Sequence, residues 1–229
     1  MQRLVLWDVD GTLLKTNGTG TDALHRALSR VVGRTPPEPL AYAMGTLDPA
    51  IVALHLEALE ADPGIHLPAV LAASVEELHA ARDELVQRGE VMPGVREVLA
   101  ALADRDGVLQ TLLTGNVRAN AILKTSAFAL DQWLDFDVGA YGEDAEERHA
   151  LVGVVLERVQ RLRGRSFDPA EAWVVGDTAH DLACARRSGA RCLLVDTGWG
   201  LPDGAGKEAD AFMADLSDTA AVVDVILGP

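Results

Sequence analysis

Four short stretches of this chain are almost continuously apolar, and each stops abruptly at a polar or glycine-containing cluster. Leu4-Val5-Leu6-Trp7 runs into Asp8 and Gly11, and Leu109-Gln110-Thr111-Leu112-Leu113 runs into Thr114-Gly115-Asn116. Ala172-Trp173-Val174-Val175 runs into Gly176-Asp177-Thr178, and Cys192-Leu193-Leu194-Val195 into Asp196-Thr197-Gly198. A strand with one wet face alternates apolar and polar residues, whereas a strand covered on both faces does not. The four runs therefore predict an α/β layer, a parallel sheet with helices on both sides. In such sheets ligands collect beyond the carboxyl ends of the strands, where all of these polar clusters fall.

The intervening segments read as helices. Val95 to Ala103 follows Pro93-Gly94, Val117 to Ala127 follows the second strand, and His149 to Leu162 precedes the third. Asp181 to Ser188 closes at Gly189, placed as a C′ glycine. Residues 15–90 differ, with helical periodicity and no strand pattern. Leu24, Ala27, Leu28, Val31 and Val32 make one helical face. Asp48-Pro49 has the pattern of an N-cap and first-turn proline, opening a helix with Ile51, Leu54, Ala58 and Leu59. A third helix is predicted from about Ala69 to Arg88, with Pro36-Pro37-Glu38-Pro39 and Asp62-Pro63-Gly64 as breaks. The pattern is a helical insertion after the first strand that returns to the sheet near Met92-Pro93-Gly94.

The overall balance narrows the partners. With 48% hydrophobic and 24% charged residues among 229, the chain reads as one large or two small globular units. A net charge of -15 argues against nucleic acid or an anionic membrane surface, both of which would be repelled. A small anion can still bind where cations and backbone N–H groups are gathered locally. No apolar run approaches the length of a membrane span, and Asp8 and Asp10 interrupt the first one too early for a signal peptide. A cytoplasmic location follows by elimination. Cys184 and Cys192 have no metal-ligand spacing and read as buried thiols.

Chemistry concentrates in three places. In Asp8-Val9-Asp10-Gly11-Thr12-Leu13, two carboxylates at i and i+2 leave the same side of an extended chain. Like charges so close are tolerated best with a bound cation, and a hard ion such as Mg²⁺ suits carboxylate oxygens. Thr114-Gly115-Asn116 offers a hydroxyl and free N–H groups at a helix start, which makes either an anion cradle or an ordinary capped turn. Asp177 and Asp181, four apart at a strand end, supply metal ligands or a helix cap with a first-turn acid.

Taken together, Asp8-Val9-Asp10-Gly11-Thr12-Leu13, Leu113-Thr114-Gly115-Asn116 and Val175-Gly176-Asp177-Thr178-Ala179-His180-Asp181 closely resemble the haloacid dehalogenase superfamily on its phosphatase side. Met92-Pro93-Gly94-Val95 resembles the return segment of the phosphoglycolate-phosphatase-like branch. The resemblance implies a Rossmannoid three-layer α/β/α core with a parallel sheet, formed by residues 1–14 and 91–229, and a helical cap domain over 15–90. It also implies a Mg²⁺-dependent phosphatase that acts on a small phosphorylated metabolite through an aspartyl-phosphate. Asp8 would be the nucleophile and Asp10 the general acid and base; Asp8, Asp10, Asp177 and Asp181 would hold the metal, Asp10 through its carbonyl. Thr114, Gly115 and Asn116 would form the phosphate loop. The family pattern has a lysine ahead of the helix leading to the last acidic motif, and this chain has Arg148 there. Arginine can grip two oxygens at once, so Arg148 is expected to serve as the phosphate-binding cation, with Lys124 as the alternative. A phosphomutase of the β-phosphoglucomutase type, a dehalogenase and a non-catalytic phosphate-binding module remain competing readings. Retention of Asp10, Asp177 and Asp181 weighs against the dehalogenase, and the pairing of Asp8 with Asp10 against the pure binder. His180 and Trp199 receive no role.

Overall fold

The computed structural model describes residues 2–34, 45–197, 201 and 204–228. The Pro36-Pro37-Glu38-Pro39 break and the Gly198-Trp199-Gly200 loop lie outside them. In chain order the elements are β1 (Arg3–Trp7), β2 (Leu14–Lys15), α1 (Thr19–Val32), α2 (Asp48–Ala58), α3 (Pro63–Ala80), α4 (Arg82–Arg88) and β3 (Glu90–Val91). They continue with α5 (Val95–Ala103), β4 (Val108–Leu112), α6 (Arg118–Ala127), α7 (Leu151–Arg163), β5 (Ala172–Gly176) and α8 (Ala179–Ser188). The last are β6 (Arg191–Val195), α9 (Ala205–Glu208), β7 (Ala211–Met213) and α10 (Thr219–Leu227).

Five strands form one parallel sheet in the order β4-β1-β5-β6-β7. The four apolar runs supply its first four members, and the period-2 alternation along each explains its two covered faces. Val5 and Trp7 of β1, Trp173 and Val175 of β5 and Leu193 of β6 point into one core, against Val98, Leu99 and Leu102 of α5 and Val222 and Ile226 of α10. Leu4, Leu6, Val174 and Leu194 point into the other, against Val152, Val155 and Val159 of α7 and Ala185 of α8. The molecule is thus a three-layer α/β/α sandwich. Truncating the fully buried Leu99 to alanine is expected to cost about 2–5 kcal/mol.

Register aligns the strand ends. Trp7 pairs with Leu112 on one side and Val175 on the other. The Asp8 N–H donates to the Val175 carbonyl at 3.0 Å, and the Leu113 N–H to the Trp7 carbonyl at 2.8 Å. Asp8, Thr114 and Asp177 therefore emerge from adjacent strands at one edge.

Helices α1, α2 and α3 bury a separate cluster, including Ala27, Leu28, Val52, Leu56, Val70 and Ala73. The two chain segments that join this bundle to the sheet lie side by side: β2 and β3 pair antiparallel, Leu14 with Val91 and Lys15 with Glu90. Helix α1 follows Asn17 and Gly18, both with positive φ, at 45° and 92°.

Several local expectations need correction. The single helix expected from Ala69 to Arg88 is two, α3 and α4, and α3 starts earlier, at Pro63. Asp62 accepts a hydrogen bond from Gly64 N–H, so the Asp62-Pro63-Gly64 break is also a helix start. The short strands β2 and β3 sit at the two ends of the 15–90 segment, too brief to leave a periodic signal. Strand β7, with only three residues and none fully buried, was also invisible to the pattern.

Candidate active site

The carboxyl ends of β1, β4 and β5 bring the three motifs together. Asp8, directly after β1, is buried, and its Oδ1 lies 3.0 Å from Nη2 of Arg148. The same nitrogen donates to Asp181 Oδ1 at 2.5 Å, while Arg148 Nη1 donates to the Gly45 carbonyl at 2.7 Å. Arg148 sits in the single turn that precedes α7, and only 6% of it is exposed.

Asp177 follows β5. Its Oδ1 accepts from the Thr12 hydroxyl at 2.9 Å, and its buried Oδ2 has no hydrogen-bond partner among the described residues. Asp181 belongs to the capping box that opens α8: its Oδ2 accepts from the N–H and hydroxyl of Thr178, at 3.0 and 2.6 Å. This box orients the carboxylate inward, and Gly176 makes room, because a Cβ there would fall 2.1 Å from Asp181 Cγ.

Carboxylate oxygens of Asp8, Asp177 and Asp181 lie within 4.8 Å of one another, and all three residues are buried. The Arg148 guanidinium contacts two of these acids, Asp8 and Asp181. Burial first, then Asp8 and Asp181, push the Asp177 carboxyl up to about 8. Burial likewise raises Asp8, to about 6, against the opposing pull of Arg148. An all-oxygen donor set with an orphaned buried carboxylate oxygen suits a hard divalent cation. Such an ion would hold Asp8, Asp177 and Asp181 in their charged forms and add positive charge beside Asp8.

The loop after β4 completes the site. Asn116 Nδ2 donates to Asp10 Oδ2 at 2.7 Å and to Thr114 Oγ1 at 2.9 Å, and its Oδ1 accepts from Lys124 Nζ at 2.5 Å. Lys124 Nζ also meets Asp10 Oδ2, at 2.6 Å. Gly115 permits close approach of the bundle: a Cβ at this position would lie 2.6 Å from the Thr46 carbonyl oxygen, and the Gly115 carbonyl accepts from Asp48 N–H at 2.8 Å.

Asp8, Asp10, Thr114, Gly115, Asn116, Arg148, Asp177 and Asp181 thus converge, and both candidate cations are present on different acids. Arg148 faces Asp8 and Asp181; Lys124 faces Asp10. Lys124, the alternative to Arg148 in the sequence reading, reaches this loop from the helix that follows Thr114. Reasoning from sequence missed Thr12 and Asp48. The Asp48 reading needs correction: Leu47 is the N-cap of α2, and the Asp48 carboxylate instead accepts from Val117 N–H at 2.9 Å, capping α6 across the bundle–sheet junction.

Above these groups is a cavity of about 280 Å³. Asp8, Asp10, Thr114 and Gly115 line one part of it, and Leu24, Ile51, Val52, Leu71 and Leu78 of the bundle line another.

The sequence profile of the haloacid dehalogenase-like hydrolases matches residues 5–186. A phosphoglycolate phosphatase of Cupriavidus necator is 30% identical over 216 residues, spanning 93% of this chain and 89% of its own. A probable phosphatase of Dickeya dadantii, IndB, is 30% identical over 213 residues, 88% of this chain and 83% of its own. Among solved structures, CbbY from Rhodobacter sphaeroides in complex with phosphate superposes with a TM-score of 0.72 at 21% identity, covering 95% of this chain and 96% of that one.

Proposed function

The chain belongs to the haloacid dehalogenase-like hydrolases and is a phosphatase of that family, and from this premise we propose that it hydrolyses a small phosphate monoester through a phosphoryl group carried on Asp8. The observation that carries the reading is the pairing of two differently held aspartates at one cavity. Asp8 is buried against Arg148 beside Asp177 and Asp181, whereas Asp10 has one oxygen, Oδ2, held by Lys124 and Asn116. The structure gives Asp10 Oδ1 no donor among the described residues, so that oxygen is available for proton transfer.

In the first half-reaction an Asp8 oxygen attacks phosphorus and the ester P–O bond breaks. The departing oxygen takes a proton from Asp10. In the second, Asp10 removes a proton from water, whose oxygen attacks the same phosphorus and releases phosphate and the Asp8 carboxylate. Thr114 and the Gly115 N–H hold phosphoryl oxygens, and Arg148 offsets charge on Asp8 and the transferring group. Asp8, Asp177 and the carbonyl of Asp10 would hold Mg²⁺, with Asp181 behind them; bound there, the ion supplies charge neutralisation for the approaching phosphate.

Residues 15–90 act as a cap over a core formed by 1–14 and 91–229, with β2 and β3 as the connecting ribbon. A cytoplasmic setting accords with the pair of free, buried thiols; no helix among the described residues is long and apolar enough to cross a membrane.

The reading is tested by phosphate release from p-nitrophenyl phosphate. Turnover that requires Mg²⁺ and disappears in Asp8→Asn is the expected result. Equal turnover by Asp8→Asn would sink the mechanism.

A further inference from the structure

The turn that presents Gly115 leaves one backbone donor free. Thr114 N–H donates to the Ala140 carbonyl at 3.1 Å, and Asn116 N–H to Thr114 Oγ1 at 3.3 Å. Val117 N–H donates to the Asp48 carboxylate and Arg118 N–H to the Glu143 carboxylate, both at 2.9 Å. Of the N–H groups from 114 to 118, only that of Gly115 has no acceptor among the described residues. Gly115 lines the cavity, and its N–H is the donor that the proposed transfer uses.

Gly115 does not set the direction of that N–H by itself, because glycine has the widest backbone freedom of any residue. The direction follows from whatever holds the neighbouring peptide groups. From the sheet side, Ala140 holds Thr114, and Gly142 N–H donates to the Asn116 carbonyl at 2.8 Å. A Cβ on Gly142 would fall 2.1 Å from the Gly115 carbonyl oxygen, so this wall is already in contact. From the bundle side the holder is Asp48. Its N–H donates to the Gly115 carbonyl at 2.8 Å, and its Oδ2 accepts from Val117 N–H. One residue at the start of α2 therefore grips the peptide groups on both sides of Asn116, whose side chain donates to Asp10 at 2.7 Å. Three residues earlier, the Gly45 carbonyl accepts from Arg148, the cation beside Asp8.

We propose that Asp48 is a positioning residue for phosphoryl transfer, acting through the Gly115–Val117 turn to aim the Gly115 N–H at the transferring group. The inference rests on the phosphatase reading of the site. The bundle then contributes to the transfer step besides lining the cavity, and it does so whatever the leaving group. Asp48 also lines the cavity, so a direct contact with the leaving group is the competing account. The two differ in what they expect of different esters.

The test uses the full chain with Mg²⁺ and three esters with unlike leaving groups: p-nitrophenyl phosphate, propyl phosphate and 2-phosphoglycolate. Asp48→Ala should lower kcat/KM by about 10–100-fold on every ester alike, mainly through kcat, and weaken inhibition by orthovanadate by a similar factor. Asp48→Asn keeps an acceptor for Val117 N–H and should stay within about threefold of wild type on both measures. Should Asp48→Ala fail to fold, Asp48→Glu keeps the charge, displaces the acceptor by one methylene and carries the same expectation. Wild-type rates in the impaired variant would overturn the inference. So would losses that differ between esters by more than about fivefold, which would mark a contact with the leaving group. A fall in kcat with unchanged orthovanadate inhibition would overturn it too, because it would mark a loss of folded enzyme. Equal impairment of Asp48→Asn would replace the acceptor by the charge as the cause and overturn it as well. If the wild type cleaves none of the esters, the phosphatase reading itself fails and takes this inference with it.

Discussion

Arg148 faces two buried carboxylates, Asp8 and Asp181, with a third, Asp177, close by. Breaking a buried pair leaves an uncompensated charge, so Arg148→Met should destabilise the metal-free protein by about 3–5 kcal/mol in urea unfolding at neutral pH. A loss below about 1 kcal/mol would mean that the acids are neutral or solvated there. Asp10 makes a different prediction. Removing a general acid costs about 10²–10⁴-fold, but p-nitrophenolate departs readily without a proton. Asp10→Asn should therefore slow cleavage of an alkyl phosphate far more than the first half-reaction of p-nitrophenyl phosphate, as read by rapid-quench kinetics; equal slowing would deny Asp10 the acid role. At this scale the sequence was informative about acids and silent about partners. Asp8, Asp10 and Asp177 stand out because like charges crowd a strand end, whereas the pairing of Lys124 with Asp10 spans 114 residues and leaves no local trace.

The element that couples bundle and sheet is the start of α2. Asp48 N–H bonds the Gly115 carbonyl, and the Asp48 carboxylate caps α6 through Val117 N–H. Burial pushes the Asp48 carboxyl up to about 6, with Asp10 and Glu143 adding to the rise and Lys124 opposing it. The folded chain then holds this proton at pH values where the unfolded chain has lost it. Its contribution to stability is full below pH 3.8 and is lost as pH rises through about 6, by on the order of 2–3 kcal/mol. Asp48→Asn keeps an acceptor for Val117 without the ionisation. Thermal unfolding across this range should show the variant more stable than wild type above pH 6 and level with it near pH 4. A constant difference at all pH values would contradict the assigned ionisation. The four long apolar strands and most helices were legible, because each has its own period and punctuation. Two-residue strands such as β2 and β3 have no period to read, and the helix boundary at Ala81 depends on packing rather than on a breaker residue.

Across the whole molecule, one chain with a net charge of -15 builds a site for anionic substrates by gathering Arg148, Lys124 and backbone N–H groups at one sheet edge. The same edge concentrates Asp8, Asp177 and Asp181, so a divalent ion should stabilise the folded state by mass action. Mg²⁺ at millimolar concentration is expected to raise the melting temperature of wild type and to leave that of Asp177→Asn nearly unchanged. A matching rise in the variant would place the ion elsewhere. The three-layer architecture was readable from four strands with two covered faces, whereas the docking of the bundle on the Thr114-Gly115-Asn116 loop and Arg148, through Gly45, Thr46 and Asp48, was not, since it depends on tertiary approach. In the proposed mechanism the phosphoryl group passes through Asp8. Acid-quenching the enzyme during turnover of a phosphate ester with Mg²⁺, followed by peptide mass mapping, tests it directly. One added phosphoryl group on the N-terminal peptide, localised to Asp8, is the expected result. A protein that turns over the ester but never carries the group on Asp8, or carries it on another residue, would contradict it.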